Sequence, residues 1–224
     1  MSMVLIFDLD DTLYDERTYV ESGFRAVARW GESTFGWDPD RSFSMMISVL
    51  DTEGRGAVFN RWLDSNGVRT KAAIQECVKV YRHHKPDISV PEPIRNLLLT
   101  LNLQPLYLVT DGHKIVQANK IDALGIAPLF RHCYITHRYG VANAKPSLRC
   151  FELIKASERC DWGDMVYIGD NPAKDFVSLN AVGAHTIRVK TGMHKDVIAK
   201  PGFEAQHVIS DLLQLPPIIA ILRP

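Results

Sequence analysis

An α/β fold built on a parallel sheet, interrupted near its start by an all-helical insertion, is the architecture this sequence predicts. Two observations carry it. Short apolar runs at residues 3–8, 105–109, 132–136, 165–168 and 184–189 alternate, from residue 91 onward, with segments of helical periodicity. That alternation belongs to a parallel sheet covered by helices on both faces. Residues 17–86, in contrast, hold no convincing strand and only successive amphipathic helices. The expected organisation is a core of residues 1–16 and 87–224 with a helical domain of residues 17–86 inserted after the first strand.

Each element follows from its local pattern. The run "VLIF" has the length and apolar continuity of a strand buried on both faces. In the insertion, Val20, Phe24, Val27 and Ala28 mark one helix face, and Ile74, Cys77, Val78 and Tyr81 mark another. Pro39, Gly54 and Gly67 punctuate between such helices. The segment "HHKPDISVPEP", with three prolines, reads as the linker returning to the core. Ile94, Leu97, Leu98 and Leu101 then share a helix face, "LYLV" forms the next strand, and Leu148, Phe151 and Ile154 mark a helix over 147–158. No internal repeat or low-complexity tract is apparent.

Composition narrows the class. The chain has 224 residues, 46% hydrophobic and 23% charged, as in an ordinary globular protein. Its 26 basic residues balance 26 acidic ones, so no partner of nucleic acid or anionic membrane is expected. Cys77, Cys133, Cys150 and Cys160 form no CxxC pair and read as free thiols in a reducing compartment. No basic segment precedes a long apolar run at the N-terminus, and the run Ile218 to Leu222 is too short to span a bilayer. A cytoplasmic protein, monomer or homodimer, is expected, and the tail "LPPIIAIL" could pack on the core or at a dimer contact.

Ligands bind beyond the carboxyl ends of the strands in a parallel sheet, so the residues that follow each apolar run matter most. Asp8 follows "VLIF"; Thr110, Asp111 and Gly112 follow "LYLV"; Asp170 follows "MVYIG", with Asp175 five positions on. Asp8 and Asp10, two apart on an extended chain, project to one side. Carboxylates that close need a cation or a shared proton. Clustered oxygen ligands without His or Cys suit a hard ion, Mg²⁺ being the usual choice beside phosphate. Lys145, in a loop ahead of a helix expected to start near Pro146 or Ser147, is the cation wanted beside a phosphoryl group. Thr110, with the backbone N–H groups of Asp111 and Gly112, could hold its oxygens.

In this order, "DLDDTL", "VTDG", "AKPS" and "GDNPAKD" resemble the four motifs of the haloacid dehalogenase superfamily of phosphohydrolases. The resemblance implies a Rossmann-like core with a helical cap of the first subfamily, and an Mg²⁺-dependent phosphatase acting on a small phosphorylated metabolite. It implies Asp8 as nucleophile, forming an aspartyl-phosphate, and Asp10 as general acid, then base. Thr110 and Lys145 would bind the phosphoryl group. Asp170 would ligate the metal with Asp8 and the Asp10 backbone carbonyl, and Asp175 would support the water shell or Lys145. The second motif commonly has Asn where Asp111 stands, so that carboxylate is expected to point away or to be hydrogen-bonded.

Other residues read more plainly. Asp11 and Thr12 shape the turn after the first strand, and Asn171 is a candidate to assist the metal. His113 reads as a residue of the next helix's first turn, and His83 and His84 as a solvated helix end. Arg25, Arg29, Arg55 and Arg61 read as surface charges, and Trp30, Trp37 and Trp62 as core of the insertion. The alternatives are a phosphomutase of the same superfamily, or a catalytically silent binding protein of this fold. A receiver-type module conflicts with the order of the motifs, and "GVANAKPS" lacks the glycine before lysine that a P-loop requires.

Overall fold

The computed structural model describes residues 3–222. The chain forms two compact units, one of the described residues up to Glu16 and from Ser89 onward, the other of Arg17–Ile88. Helix α1 (Glu16–Phe35) leads into the second unit, followed by α2 (Pro39–Glu53), α3 (Val58–Ser65) and α4 (Lys71–His83). The start of α2 follows from its sequence: the Asp38 carboxylate accepts the Arg41 N–H at 2.7 Å, and Pro39 opens the first turn. Trp62 is fully buried, edge-on to Trp37 with ring centroids 5.2 Å apart. A Cβ at Gly31 would lie 2.8 Å from the same indole, so α1 passes Trp62 at glycine distance. The tryptophans are therefore packing groups. His83 and His84 each bond a carbonyl of their own helix end through Nδ1.

The first unit carries six parallel strands: β1 (Val4–Phe7), β2 (Leu106–Thr110), β3 (His132–Ile135), β4 (Met165–Gly169), β5 (His185–Val189) and β6 (His207–Ile209). Their order is β3-β2-β1-β4-β5-β6. Strands β1, β2 and β4 are buried along their whole length, which is why they read as unbroken apolar runs. Phe7 lies beside Leu108 on one side and Ile168 on the other. The chain moves outward from β1 through β2 to β3, then returns to β4 on the opposite side of β1. This is the topological switch point of a doubly wound sheet, where a crevice opens at the carboxyl ends. Helices α5 (Glu92–Leu101), α6 (Lys114–Leu124), α7 (Arg149–Glu158), α8 (Val177–Ala181) and α9 (Leu215–Leu222) complete the unit. Phe151 and Ile154 of α7 join Val4, Ile6, Tyr107, Val109 and Tyr167 in one buried cluster. Each such side chain contributes about 1.5–3 kcal/mol on burial.

Two expectations are corrected. Strand β6 does not appear among the predicted runs: at three residues, with Val208 exposed at the sheet edge, it has too little apolar continuity to be recognised. The helix after Lys145 begins at Arg149, not near Pro146 or Ser147. The Ser147 hydroxyl accepts the Arg149 N–H at 3.3 Å, a local side-chain bond in the turn before the helix that competes with helical pairing there. All four cysteines are free, as expected. Among the described residues no helix is long and apolar enough to cross a membrane.

A buried arginine organises the segment after β5. Arg188, 1% exposed, pairs with Glu204 at 2.8 Å and donates to the carbonyls of His194 and Val197 at 2.7 and 2.9 Å. The segment so held returns to the β1 loop. The Met193 N–H donates to Asp11 Oδ2 at 3.0 Å, and a Cβ at Gly192 (φ +58°) would fall inside the Asp11 carboxylate. Replacing Arg188 with Met is expected to cost about 2 kcal/mol through the unpaired carbonyls. Hydrogen exchange should locate the loss in residues 190–204; uniform protection there would contradict this role.

Candidate active site

Three strand ends and one loop build the site. Asp8 continues β1, its N–H donating to the Ile168 carbonyl at 2.8 Å, so it leaves the sheet level with the end of β4. Thr110 ends β2, and Asp170 follows β4. Lys145 comes from the loop between β3 and α7. All four side chains are buried, as is Asp175.

Lys145 is the hub. Its Nζ lies 3.0 Å from Asp8 Oδ2 and 2.8 Å from Asp175 Oδ1, and it donates to the Tyr167 hydroxyl at 2.8 Å. Burial alone would lower the lysine's pKa, but Asp175 and Asp8 outweigh it and hold the ammonium well above its ordinary value. Asp175 Oδ2 accepts the Asn171 N–H at 2.9 Å. A Cβ at Gly169 would stand 2.6 Å from that oxygen, so the end of β4 must be glycine for Asp175 to approach.

The carboxylates of Asp8, Asp170 and Asp175 have oxygens within 4.8 Å of one another and could hold a metal ion. Their electrostatics describe a site short of positive charge. Burial, then repulsion from Asp8 and Asp175, pushes Asp170 up to about 9. Burial pushes Asp8 up to about 6 despite Lys145. An all-oxygen donor set in which buried acids repel one another fits a hard divalent cation.

The Asp10 side chain stands apart from that trio. Lys120 Nζ lies 2.7 Å from its Oδ1, the Tyr14 hydroxyl donates to Oδ1 at 2.7 Å, and Gln117 Nε2 donates to Oδ2 at 3.0 Å. The metal role that the resemblance implies for Asp10 is that of its backbone carbonyl. Asp10 still lines the same cavity as Asp8, Thr110, Asp170 and Asn171, a space of about 150 Å³. A larger cavity of about 520 Å³, lined by Leu13, Pro93, Val189 and Leu212 among others, has none of Asp8, Thr110, Lys145 or Asp170 in its wall.

Asp111 is hydrogen-bonded, as anticipated. Its Oδ1 accepts the Thr136 hydroxyl at 2.6 Å and the Lys145 N–H at 3.1 Å, and Lys174 lies 3.2 Å from Oδ2. Burial alone would raise its pKa, but Lys145, Lys174 and Thr136 together bring it below the usual carboxylate value. Gly112 has φ +136°, a backbone conformation open to glycine, which turns the chain after Asp111. Asp11, at φ +54°, accepts the Glu16 N–H at 2.9 Å, a turn and helix-start role. Asn171 bonds the His194 ring at 3.0 Å. His113 is the residue just before α6.

Sequence reasoning missed Tyr167, Thr136, Lys174, Gln117 and Lys120. Thr136 follows β3, so the strand-end reading applied to the other strands would have found it. Gln117 and Lys120, three apart on α6 and 2% exposed, are polar groups on its buried face with Ile121 and Leu124. That break in the apolar face was the available signal.

The model of the haloacid dehalogenase-like hydrolase family matches residues 3–183, and the chain belongs to that family. It is 25% identical to a glyceraldehyde 3-phosphate phosphatase of Methanocaldococcus jannaschii, across 98% of this chain and 97% of the relative. Among solved structures, the HAD-hydrolase YfnB from Bacillus subtilis bound to magnesium superposes with a TM-score of 0.69 at 18% identity, covering 97% of this chain and 98% of that one. The 2-haloacid dehalogenase from Pseudomonas syringae gives 0.67 at 20% identity, with both chains fully covered. These likenesses concern the fold.

Proposed function

We propose that the protein is an Mg²⁺-dependent phosphatase that hydrolyses a small phosphorylated metabolite through an aspartyl-phosphate at Asp8. The observation that carries this reading is the Lys145 ammonium 3.0 Å from Asp8 Oδ2, in a site where Thr110 and Asp170 stand at the carboxyl ends of the two strands that flank β1. In the first half-reaction an Asp8 oxygen bonds to phosphorus, the bond from phosphorus to the ester oxygen breaks, and Asp10 gives its proton to the departing alcohol. In the second, Asp10 takes a proton from water, the water oxygen bonds to phosphorus, and Asp8 leaves as carboxylate. The sum is ester plus water to alcohol plus inorganic phosphate.

Asp8, Asp170 and the Asp10 carbonyl would hold Mg²⁺, whose charge, when bound, offsets the repulsion between the carboxylates and an anionic ester. Asp175 suits a supporting part, because Lys145 and the Asn171 N–H already engage its oxygens. Thr110 accepts from Gln117 Nε2 at 2.5 Å, which leaves its own O–H to donate to a phosphoryl oxygen. Lys145 offers charge to the same group, and the bonds that restrain Asp111 keep its carboxylate from opposing phosphate.

The relatives' name makes glyceraldehyde 3-phosphate the first substrate to assay, within a panel of phosphorylated sugars, nucleoside monophosphates and phosphoglycolate. Phosphate release that requires Mg²⁺ is expected, whereas isomer formation without release would replace hydrolysis by phosphomutase chemistry. Asp10→Asn should still bind Mg²⁺ but turn over about 10²–10⁴-fold more slowly. An unchanged rate would remove its acid–base role.

A further inference from the structure

Lys120 and Tyr14, the charged and phenolic partners of Asp10, have no part in the phosphatase roles of Asp8, Asp10, Thr110 and Lys145. Lys120 is 2% exposed, and its Nζ lies 2.7 Å from Asp10 Oδ1 and 3.0 Å from Glu16 Oε1. Taking an ammonium out of water costs several kcal/mol, which its partners must offset. An apolar residue at position 120 would extend the buried face that Ile121 and Leu124 already form, without that cost. Gln117, equally buried, spans two functional candidates by donating to Asp10 Oδ2 at 3.0 Å and to Thr110 Oγ1 at 2.5 Å. Tyr14, 4% exposed, donates to Asp10 Oδ1 at 2.7 Å. Three buried donors on two elements thus meet one carboxylate whose side chain stays 22% exposed at the cavity.

We propose that Lys120 is a positioning residue which, with Tyr14 and Gln117, holds the Asp10 carboxyl group where its proton reaches the leaving-group oxygen. This rests on the phosphatase reading. An aspartate on a loop has two free side-chain torsions, and a proton donor contributes only while it stays within hydrogen-bond reach of its acceptor. The Gln117 bridge ties that placement to Thr110, so the proton donor and the phosphate ligand share one anchor on α6. A purely structural clamp between α6 and the β1 loop would have a different signature: it would lower every activity alike.

The test compares kcat/KM for two esters in wild type, Lys120→Met and Tyr14→Phe. This ratio covers the steps up to departure of the alcohol. p-Nitrophenyl phosphate releases a weakly basic phenolate that needs little protonation; an alkyl phosphomonoester releases a strongly basic alkoxide that needs it fully. In Lys120→Met the alkyl ester should lose roughly 10²-fold, the lower end of what a general acid contributes, and the nitrophenyl ester much less. Tyr14→Phe removes a single hydroxyl and should show the same preference on a smaller scale, so the inference stays testable if Lys120→Met fails to fold. Equal losses on both esters, or none on either, in the folded variants would overturn it. The alkyl ester is the best substrate of the metabolite panel; a wild type that releases phosphate from no member of that panel would instead overturn the phosphatase reading itself.

Discussion

Asp8→Asn is expected to abolish phosphate release, by about 10⁴-fold or more, while leaving the protein folded and able to bind its substrate. Asparagine has the shape of aspartate and keeps one oxygen to accept from Lys145, which retains Asp175 at 2.8 Å as a charged partner. What it lacks is an anionic oxygen able to bond to phosphorus, and without it the reaction has no covalent route. Phosphomonoesters hydrolyse so slowly unaided that residual binding cannot substitute for a nucleophile. Steady-state phosphate release with matched circular dichroism checks this. Turnover within about tenfold of wild type would show that another group attacks phosphorus.

The second large effect joins metal, pH and stability. In the metal-free protein Asp170 is pushed up to about 9, against an ordinary value of 3.8. As pH rises, the unfolded chain releases this proton first while the folded chain keeps it. Folding stability therefore falls as pH climbs through the interval up to about 9 and levels off above it. One proton held only by the folded state corresponds to about 1.4 kcal/mol per pH unit. For a chain of this size that is roughly 3–5 °C in Tm per unit. Asp8, pushed up to about 6, adds to the slope at lower pH, where His194, lowered by burial, acts in the opposite sense. Between pH 7 and 8.5 Asp170 dominates, and Cys77, Cys133 and Cys150, whose thiols burial pushes up, add in the same sense toward the upper end.

Thermal unfolding in EDTA should show Tm falling across that window. Mg²⁺ at about one hundred times its Kd should then raise Tm by roughly 5–10 °C, more at pH 8.5 than at pH 7. Asp170→Asn should flatten the metal-free slope and remove most of the Mg²⁺ shift. A Tm independent of pH in EDTA, or a full Mg²⁺ shift retained by Asp170→Asn, would contradict a cation site at Asp170.

The residues Asp8, Thr110 and Asp170 were legible because each stands just past a buried apolar run, and parallel strands place such positions along one edge; Asp175 was legible through its motif spacing, five positions after Asp170. Asp175 carried a further role that spacing did not disclose: it bonds Lys145, thirty positions earlier in the chain, and Gly169 is needed for it to fit. Strand β6 escaped because an edge strand of three residues buries too little to need an apolar run.

By itself the amino-acid order determined five of the six strands and the residues at their ends, since local burial and local motif spacing write themselves directly into sequence. The tertiary structure alone decided which charges meet. It set the Asp10 carboxylate on Lys120, 110 positions away, and turned Asp111 toward Thr136 and Lys174. Pairings of that kind leave no periodic trace, because a side-chain ion pair depends on where two distant backbones arrive and not on what either neighbour is.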